Sequence, residues 1–405
     1  MISNSVLSGM KKIALVSTAL PPSQSGQSTV LFHLLKNLDP RKYCLITQKN
    51  VHLYSIKPRG SSQLPVNYHF FPPDYQVIRV FTHTASMVQS TALLNLILKI
   101  RIHQIKKVLQ EEHCDAIVAC TGDLFDPPAA FLASRDFGIP FILYTFDYYS
   151  CQWTNPFLRS FARRFEPDLV RDATKVIVPN ECMHEEYLKQ YGIVATIIHN
   201  PFDLGDYEKQ AQNVSEPNNR PIEKTIVYTG TIYDAHYDAF RNLITAMQSL
   251  GIQNLKIHLY TPQSQRNLTE NNIIGPVVVH EAQPVTAIPA IQRSADILFL
   301  PLSFRSQFPE VIKTSAPGKI GEYLASKRPI LVHAPKDSFV SWYFRKYHCG
   351  LVVDQDNPQL LAKAIERLLK DTQLQQTLSE NAYSRAIEDF DIHNAQKKFK
   401  TTVGL

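Results

Sequence analysis

The sequence predicts two doubly wound α/β domains in series, and three observations carry that expectation. Short, nearly continuous apolar runs alternate with amphipathic stretches of helix length, the pattern of parallel strands covered on both faces by helices. The alternation is interrupted once, by a polar Asn-, Gln- and Pro-rich stretch near residues 203–223, and then resumes. The length of 405 residues exceeds one ordinary core and suits two of about 150–200 residues each.

In the first series the runs Lys12–Val16, Tyr43–Thr47, Ala116–Cys120, Phe141–Phe146 and Lys175–Pro179 read as buried strands, with helices over Ser28–Leu38 and Leu93–Gln110 between them. The second series offers Thr225–Tyr228, Lys256–Tyr260, Val277–His280, Asp296–Pro301, Pro329–His333 and Gly350–Asp354. Its closing helices are expected over Gln359–Asp371 and from Leu374 towards Lys400. The resulting division is 1–205 for the first domain, 206–222 for a linker and 223–387 for the second domain, with a helix near 388–405 returning to the first.

Composition narrows the function classes. Hydrophobic residues make up 44% and charged residues 19%, enough for real cores and far from a disordered composition. A net charge of +6 without a dense basic run interleaved with aromatics argues against nucleic acid as a partner. The six cysteines form no CxxC pair and no regular framework, so neither a disulfide scaffold nor a zinc site is expected, and a reducing cytoplasm is. The first ten residues lack the charged and apolar regions of a signal peptide, and no apolar run is long enough for a membrane span.

Ligands of doubly wound sheets bind beyond the carboxyl ends of the strands, which directs attention to the residues just after each run. Gly26 precedes the first helix, where a side-chain-free backbone and unpaired amides suit either an anion or a plain turn. Gly230 and Thr231 follow the first strand of the second series and read as a phosphate contact or a connecting turn. Asp147 follows the run FILYTF, placed either to meet an acceptor hydroxyl or to cap the next segment. The densest element is Lys313–Ile330, KTSAPGKIGEYLASKRPI, expected as a loop, a short helix and a strand. Pro317 and Gly318 lie near its helix start, and Ser315 is placed to cap that helix or hold an oxyanion. Lys319 and Glu322 share one helix face; the pair suits a diphosphate beside a ribose, or is a surface salt bridge. Asp354–Gln355–Asp356 spells DxD but reads as a turn before a helix, and the histidines show no metal-ligand spacing.

PGKIGEYLASKRPI resembles the segment with which family 4 glycosyltransferases, of the GT-B fold, hold the nucleoside of their donor. KIALVSTALPPSQSG, IIHNPFD, VYTGTIY, IQRSADILFLPL and GLVVDQDNPQLLAKAIERLL resemble, in the right order, other landmarks of that family. The resemblance implies two Rossmann-like domains facing a central cleft and a retaining, hexosyltransferase-type enzyme. Such an enzyme moves a sugar from a nucleoside diphosphate to a glycan or lipid-linked glycan in polysaccharide or glycoconjugate biosynthesis. It assigns Glu322 to the ribose hydroxyls and the loop around Ser315–Gly318, with Lys319 or Lys313, to the diphosphate, beside the phosphate contact read above for Gly230 and Thr231. It puts Gly26 near the donor phosphates or the acceptor, and Asp147 in a catalytic place beside the acceptor or the anomeric carbon. No metal or other cofactor is expected at the catalytic step. Two departures stand out. Many members carry a second Glu eight positions before the ribose-binding one, to hold the donor sugar; here that position is Thr314. TGTIYDAH also lacks the Arg and Lys usual after the first strand of the second domain. These departures keep two rivals open, a non-catalytic nucleotide-sugar-binding partner subunit and a nucleotide-sugar epimerase of the same fold.

From Gln76 to Gln110 there is no acid, while Arg79, Lys99, Arg101, Lys106 and Lys107 are basic and Leu94, Ile97, Leu98, Ile105 and Val108 recur at helical spacing. Arg159, Arg163 and Arg164 alternate with Phe157, Phe161 and Phe165. Either stretch fits peripheral contact with the inner face of a membrane, or a core-facing helix with a solvated basic side.

Overall fold

The computed structural model describes residues 11–23, 25–50, 63–212 and 223–405. The chain divides into two compact units. One runs up to His199 and includes His393–Leu405; the other is Asn200–Ile392. The first ten residues, read above for a signal peptide, lie outside the described residues, as does 213–222 of the stretch read as a linker. The earlier part of that stretch is helical, within α7 (Leu204–Gln212).

The first unit is built on a seven-stranded sheet of order β3-β2-β1-β4-β5-β6-β7. Its strands are β1 (Ile13–Val16), β2 (Tyr43–Gln48), β3 (Tyr68–Phe71), β4 (Ala116–Cys120), β5 (Phe141–Tyr144), β6 (Lys175–Val178) and β7 (Thr196–Ile197), every pair parallel. The chain first winds outward from β1 to β3 and then crosses to β4 on the other side of β1. That reversal opens a crevice at the carboxyl ends of β1 and β4. The central strands are apolar on both faces because helices cover both. The described helices are α1 (Gly26–Leu35), α2 (Tyr75–Met87), α3 (Thr91–Glu112), α4 (Asp126–Phe137), α5 (Pro156–Arg171) and α6 (Glu181–Tyr191). Phe399 and Val403 of the last helix, α16 (Ile392–Val403), are buried in the same core as Ile13, Leu15 and Leu45.

The second unit repeats the plan with a six-stranded parallel sheet of order β10-β9-β8-β11-β12-β13. Its strands are β8 (Lys224–Thr229), β9 (Leu255–Tyr260), β10 (Val277–His280), β11 (Ile297–Pro301), β12 (Ile330–His333) and β13 (Leu351–Val353). Here the reversal lies between β8 and β11, so their carboxyl ends form the second crevice. Helices α8 (Tyr237–Leu250) and α14 (Pro358–Lys370) bury Phe240, Leu243, Leu361 and Ile365 against β8, β9 and β11.

The structure departs from the sequence expectation at β3 and β7, which it adds. The first follows a polar, Pro-containing stretch and lies at the sheet edge; the second is only two residues long. The long final helix is divided into α15 (Thr372–Asp389) and α16, with Phe390 and Asp391 between them. At this break the Phe202 amide donates to the Phe390 carbonyl at 3.1 Å. Gly321 makes the junction possible: a Cβ there would lie 2.6 Å from Phe202 Cδ1 and 3.1 Å from Phe390 Cβ. Among the described residues no helix is long and apolar enough to cross a membrane.

Candidate functional site

The second unit gathers its polar groups at the carboxyl end of β8. The chain leaves that strand through Gly230, whose φ of +122° favours glycine. A Cβ at this glycine would sit 3.0 Å from Lys319 Nζ, so only a bare backbone lets the ammonium approach. Lys319 Nζ also rests over the Tyr228 ring, 3.6 Å from its centroid. The aromatic face favours the cation. Burial pulls the Lys319 ammonium down to about 7, against the pull of Glu322. Solvent still reaches the side chain, which limits the shift.

The short helix expected after the loop is present. It is α12 (Ile320–Ala325), with Lys319 as its N-cap residue and no side-chain cap. Ser315 instead closes α11 (Pro309–Thr314), its amide bonded to the Ile312 carbonyl at 3.3 Å. The loop between is braced by Asn200, which donates to the Ala316 carbonyl at 2.7 Å.

Glu322, in the first turn of α12, is held by a relay. Gln292 Nε2 donates to Glu322 Oε2 at 3.0 Å and to Thr229 Oγ1 at 3.1 Å. Gln292 Oε1 in turn accepts from the Tyr207 hydroxyl at 2.8 Å. Burial raises the Glu322 carboxyl, while Gln292 and Lys319 lower it. The carboxylate is thus aimed by neutral donors rather than neutralised by a salt bridge, which leaves it able to accept from ligand hydroxyls. His236 adds a further polar atom: its buried Nδ1 has no partner among the described residues, and burial followed by Lys319 lowers the imidazole to about 3, keeping it neutral.

Gly230, Lys319 and Glu322 therefore come together. Thr231 is exposed and accepts from the Tyr228 hydroxyl through its carbonyl at 2.7 Å. Gly318 is exposed, with open space where a Cβ would be. Lys313 is partly buried on α11. Thr314 is buried, and its hydroxyl donates to the Glu310 carbonyl at 3.2 Å. Tyr207, Gln292 and His236 went unnoticed in the sequence. Tyr207 fell in the expected linker and Gln292 at the start of the IQRSADILFLPL landmark, before its strand; only His236, eight residues after Tyr228 in a Gly-containing turn, lay where a search beyond strand ends would reach. The DxD residues are spent on structure: Asp356 pairs with Arg305 at 2.7 Å, Asp354 pairs with Arg345, and Asn357 caps α14.

In the first unit the carboxyl ends of β1, β4 and β5 carry a polar lattice. Gln27 Nε2 donates to Ser17 Oγ at 2.9 Å and the Thr121 carbonyl at 3.1 Å. Thr121 Oγ1 accepts from the amides of Phe146 at 2.9 Å and Asp147 at 3.3 Å, fixing the turn that presents the Asp147 side chain to solvent. Gly26 is the first residue of α1, exposed, and Ser25 caps that helix by accepting from the Ser28 amide at 3.1 Å.

The basic stretches separate into two outcomes. Leu94, Ile97, Leu98, Ile105 and Val108 all face the core. Arg101 is also buried, paired with Asp126 at 2.9 Å. Arg164 lies over the Phe161 and Phe165 rings of its own helix, so that cluster is partly used internally. A different apolar set is exposed on α2 and α3: Val80 at 64%, Phe81 at 54%, Met87 at 73% and Leu96 at 56%.

Comparison with known proteins adds the family. Residues 25–206 match the model described as Glycosyltransferase Family 4, and residues 223–371 match that described as Glycosyl transferases group 1. No curated protein matches the chain in sequence. Among solved structures, HepE from Anabaena in complex with UDP superposes with a TM-score of 0.69 at 15% identity, covering 97% of this chain and 99% of that one. Sucrose-phosphate synthase from Thermosynechococcus elongatus gives 0.67 at 15% identity, covering 96% and 97%. A glycosyltransferase from Rickettsia africae gives 0.66 at 13% identity, again covering 96% and 97%.

Proposed function

The chain belongs to the family 4 glycosyltransferases, with their GT-B fold, and from that premise we propose a reaction: transfer of a hexose from a nucleoside diphosphate to a hydroxyl of a glycan or lipid-linked glycan, with retention. The observation that carries the donor half is the convergence of Lys319, Gly230 and the relay-held Glu322 at one strand end. Lys319 would neutralise the diphosphate as it leaves, and Glu322 would accept from two ribose hydroxyls. Gly318, Ser315, Lys313 and Thr231 line the same loops and are proposed as weaker diphosphate contacts. Asp147 is proposed to meet the acceptor or the charge that develops at the anomeric carbon, and no metal is proposed at that step. HepE was solved with UDP and with UDP-glucose, which makes a uridine nucleotide the first donor to try.

The test is a thermal-unfolding screen against nucleoside diphosphates and their sugars, followed by transfer assays with product stereochemistry read by NMR. A ligand at about 100 times its Kd should stabilise the fold by about 2.7 kcal/mol. No shift with any nucleotide would sink the donor assignment; an inverted product would sink retention. Turnover of the donor sugar without acceptor would favour the epimerase. Binding without turnover would favour a partner subunit, the reading supported by the buried Thr314, where a sugar-binding carboxylate is missing.

We further propose that the exposed apolar residues of α2 and α3, with Arg79 and Lys99 beside them, contact an anionic lipid surface at the inner face of a membrane. The protein should co-sediment with phosphatidylglycerol vesicles and not with phosphatidylcholine, and Phe81→Ser with Met87→Ser should weaken that binding. Equal binding by the double variant would refute the assignment.

A further inference from the structure

At the opposite end of the first sheet from Asp147, three potential metal ligands converge, Cys44, His69 and Glu112, and Cys114 lies beside the first of them. Cys44 is the second residue of β2, and Ile46, two residues on, points to the same face. Ile46 is in register with His69 of β3, so Cys44 and His69 share that face. Helix α3 ends at Glu112, and a left-handed turn at His113 (φ 51°, ψ 49°) brings Cys114 back beneath it. The Cys44 Sγ, a His69 ring nitrogen and a Glu112 carboxylate oxygen all lie within 4.8 Å of one another. Cys114 Sγ is 3.7 Å from Cys44 Sγ, and His69 Nε2 is 2.7 Å from Glu112 Oε1.

From this geometry we propose that Cys44, Cys114, His69 and Glu112 form a structural zinc site remote from the catalytic end of the fold. Thiolate, imidazole and carboxylate are zinc's usual ligands. At 3.7 Å the two sulfurs are in contact but not bonded as a disulfide, whose S–S bond is about 2.05 Å. They already stand at the edge length of a tetrahedron with Zn–S bonds of about 2.3 Å, roughly 3.8 Å. To close the site, the His69 ring exchanges its contact with Glu112 for the metal and the Cys114 side chain turns towards the other three ligands.

The surroundings supply the outer partners such a site requires. Lys12 Nζ bonds Glu112 Oε2, leaving Oε1 for the ion, and Asn67 donates to Oε1 at 2.9 Å. Two thiolates and one carboxylate around a divalent cation leave a net charge of −1, which the Lys12 ammonium cancels. Loading replaces two S–H bonds with two metal–sulfur bonds and releases the thiol protons to solvent. The ligands come from three elements far apart in the chain, and no local spacing betrays them. This is why the cysteine pattern predicted no such site.

The experiment is titration of the reduced, metal-stripped full chain with cobalt(II). One equivalent should generate the near-ultraviolet thiolate-to-metal charge-transfer band and visible bands of tetrahedral cobalt, and zinc should then erase both. Cys114→Ser and His69→Ala should weaken cobalt binding at least tenfold, while Cys182→Ser leaves it unchanged. Because replacing a residue in the sheet core can unfold the unit, the wild-type titration stands as the primary readout and His69, on the edge strand, as the mildest variant. A wild-type chain that gives no charge-transfer band, or a band that persists at full strength in both ligand variants, overturns the proposal.

Discussion

Lys319→Ala is expected to lower kcat/KM for the nucleotide-sugar donor by about 10²–10³-fold, the cost of removing one preorganised charge partner from a developing anion. The size follows from where the ammonium is held. It sits over the Tyr228 face and against the bare backbone of Gly230, partly desolvated before any ligand arrives. A charge fixed in this way needs no reorganisation when the diphosphate leaves. Lys319→Arg is not expected to rescue activity, because the space against Gly230 admits a compact ammonium and not a planar guanidinium. The pH profile gives an independent reading. With Lys319 drawn to about 7 in the free protein, a bound diphosphate would raise it again. Donor binding above neutral pH must then take up a proton, so affinity falls as pH rises from about 7. Calorimetry in buffers of different ionisation enthalpy measures that uptake. A Lys319→Ala protein with wild-type kcat/KM and an unchanged alkaline limb would remove the lysine from the site.

The two-sheet architecture was legible because parallel strands buried on both faces are written as unbroken apolar runs. Ala116–Cys120, buried throughout, has the same limits in sequence and structure. The edge strand β3 and the short β7 carry no such mark. Of Tyr68–Phe71 only Phe71 is buried, and Thr196–Ile197 needs only two residues of pairing. The break at Phe390–Asp391 was hidden for another reason: it is set by packing on Phe202 and Gly321 rather than by Pro or Gly in the helix itself. Of the two readings open for α3, the core-facing one holds for its apolar stripe. Periodicity correctly found an apolar stripe, yet that stripe is the core-facing one, and the apolar residues left exposed belong to a pattern too irregular to score. At the candidate site, local spacing revealed Lys319 and Glu322, whereas the residues that aim them come from other elements. Tyr207 and Gln292 are 85 positions apart and meet only in three dimensions.

Glu322→Ala is expected to weaken nucleoside diphosphate binding by about 10²–10⁴-fold, the loss of two hydrogen bonds to a charged acceptor at about 1.5–3 kcal/mol each. Truncation alone does not prove a ribose contact, since removing a partly buried carboxylate also frees Gln292 and Lys319. A 2′-deoxy nucleotide separates the two causes. If Glu322 accepts from both ribose hydroxyls, the wild-type protein should discriminate against 2′-deoxy-UDP, and Glu322→Ala should bind UDP and its deoxy form almost equally. The coupling in that cycle, not the single loss, reports the contact. Two further variants grade the mechanism. Glu322→Gln keeps the shape but not the charge and should fall between wild type and Glu322→Ala. Tyr207→Phe leaves Glu322 intact but frees Gln292 Oε1, so its smaller loss should appear in binding rather than in the coupling. The pH dependence has the opposite sign to that of Lys319. Burial raises the Glu322 carboxyl, and only the ionised form accepts from both hydroxyls, so UDP affinity should fall as pH drops through that raised value. Equal discrimination against the deoxy nucleotide before and after Glu322→Ala would assign the ribose to another residue and leave Glu322 as a partner of Lys319 alone.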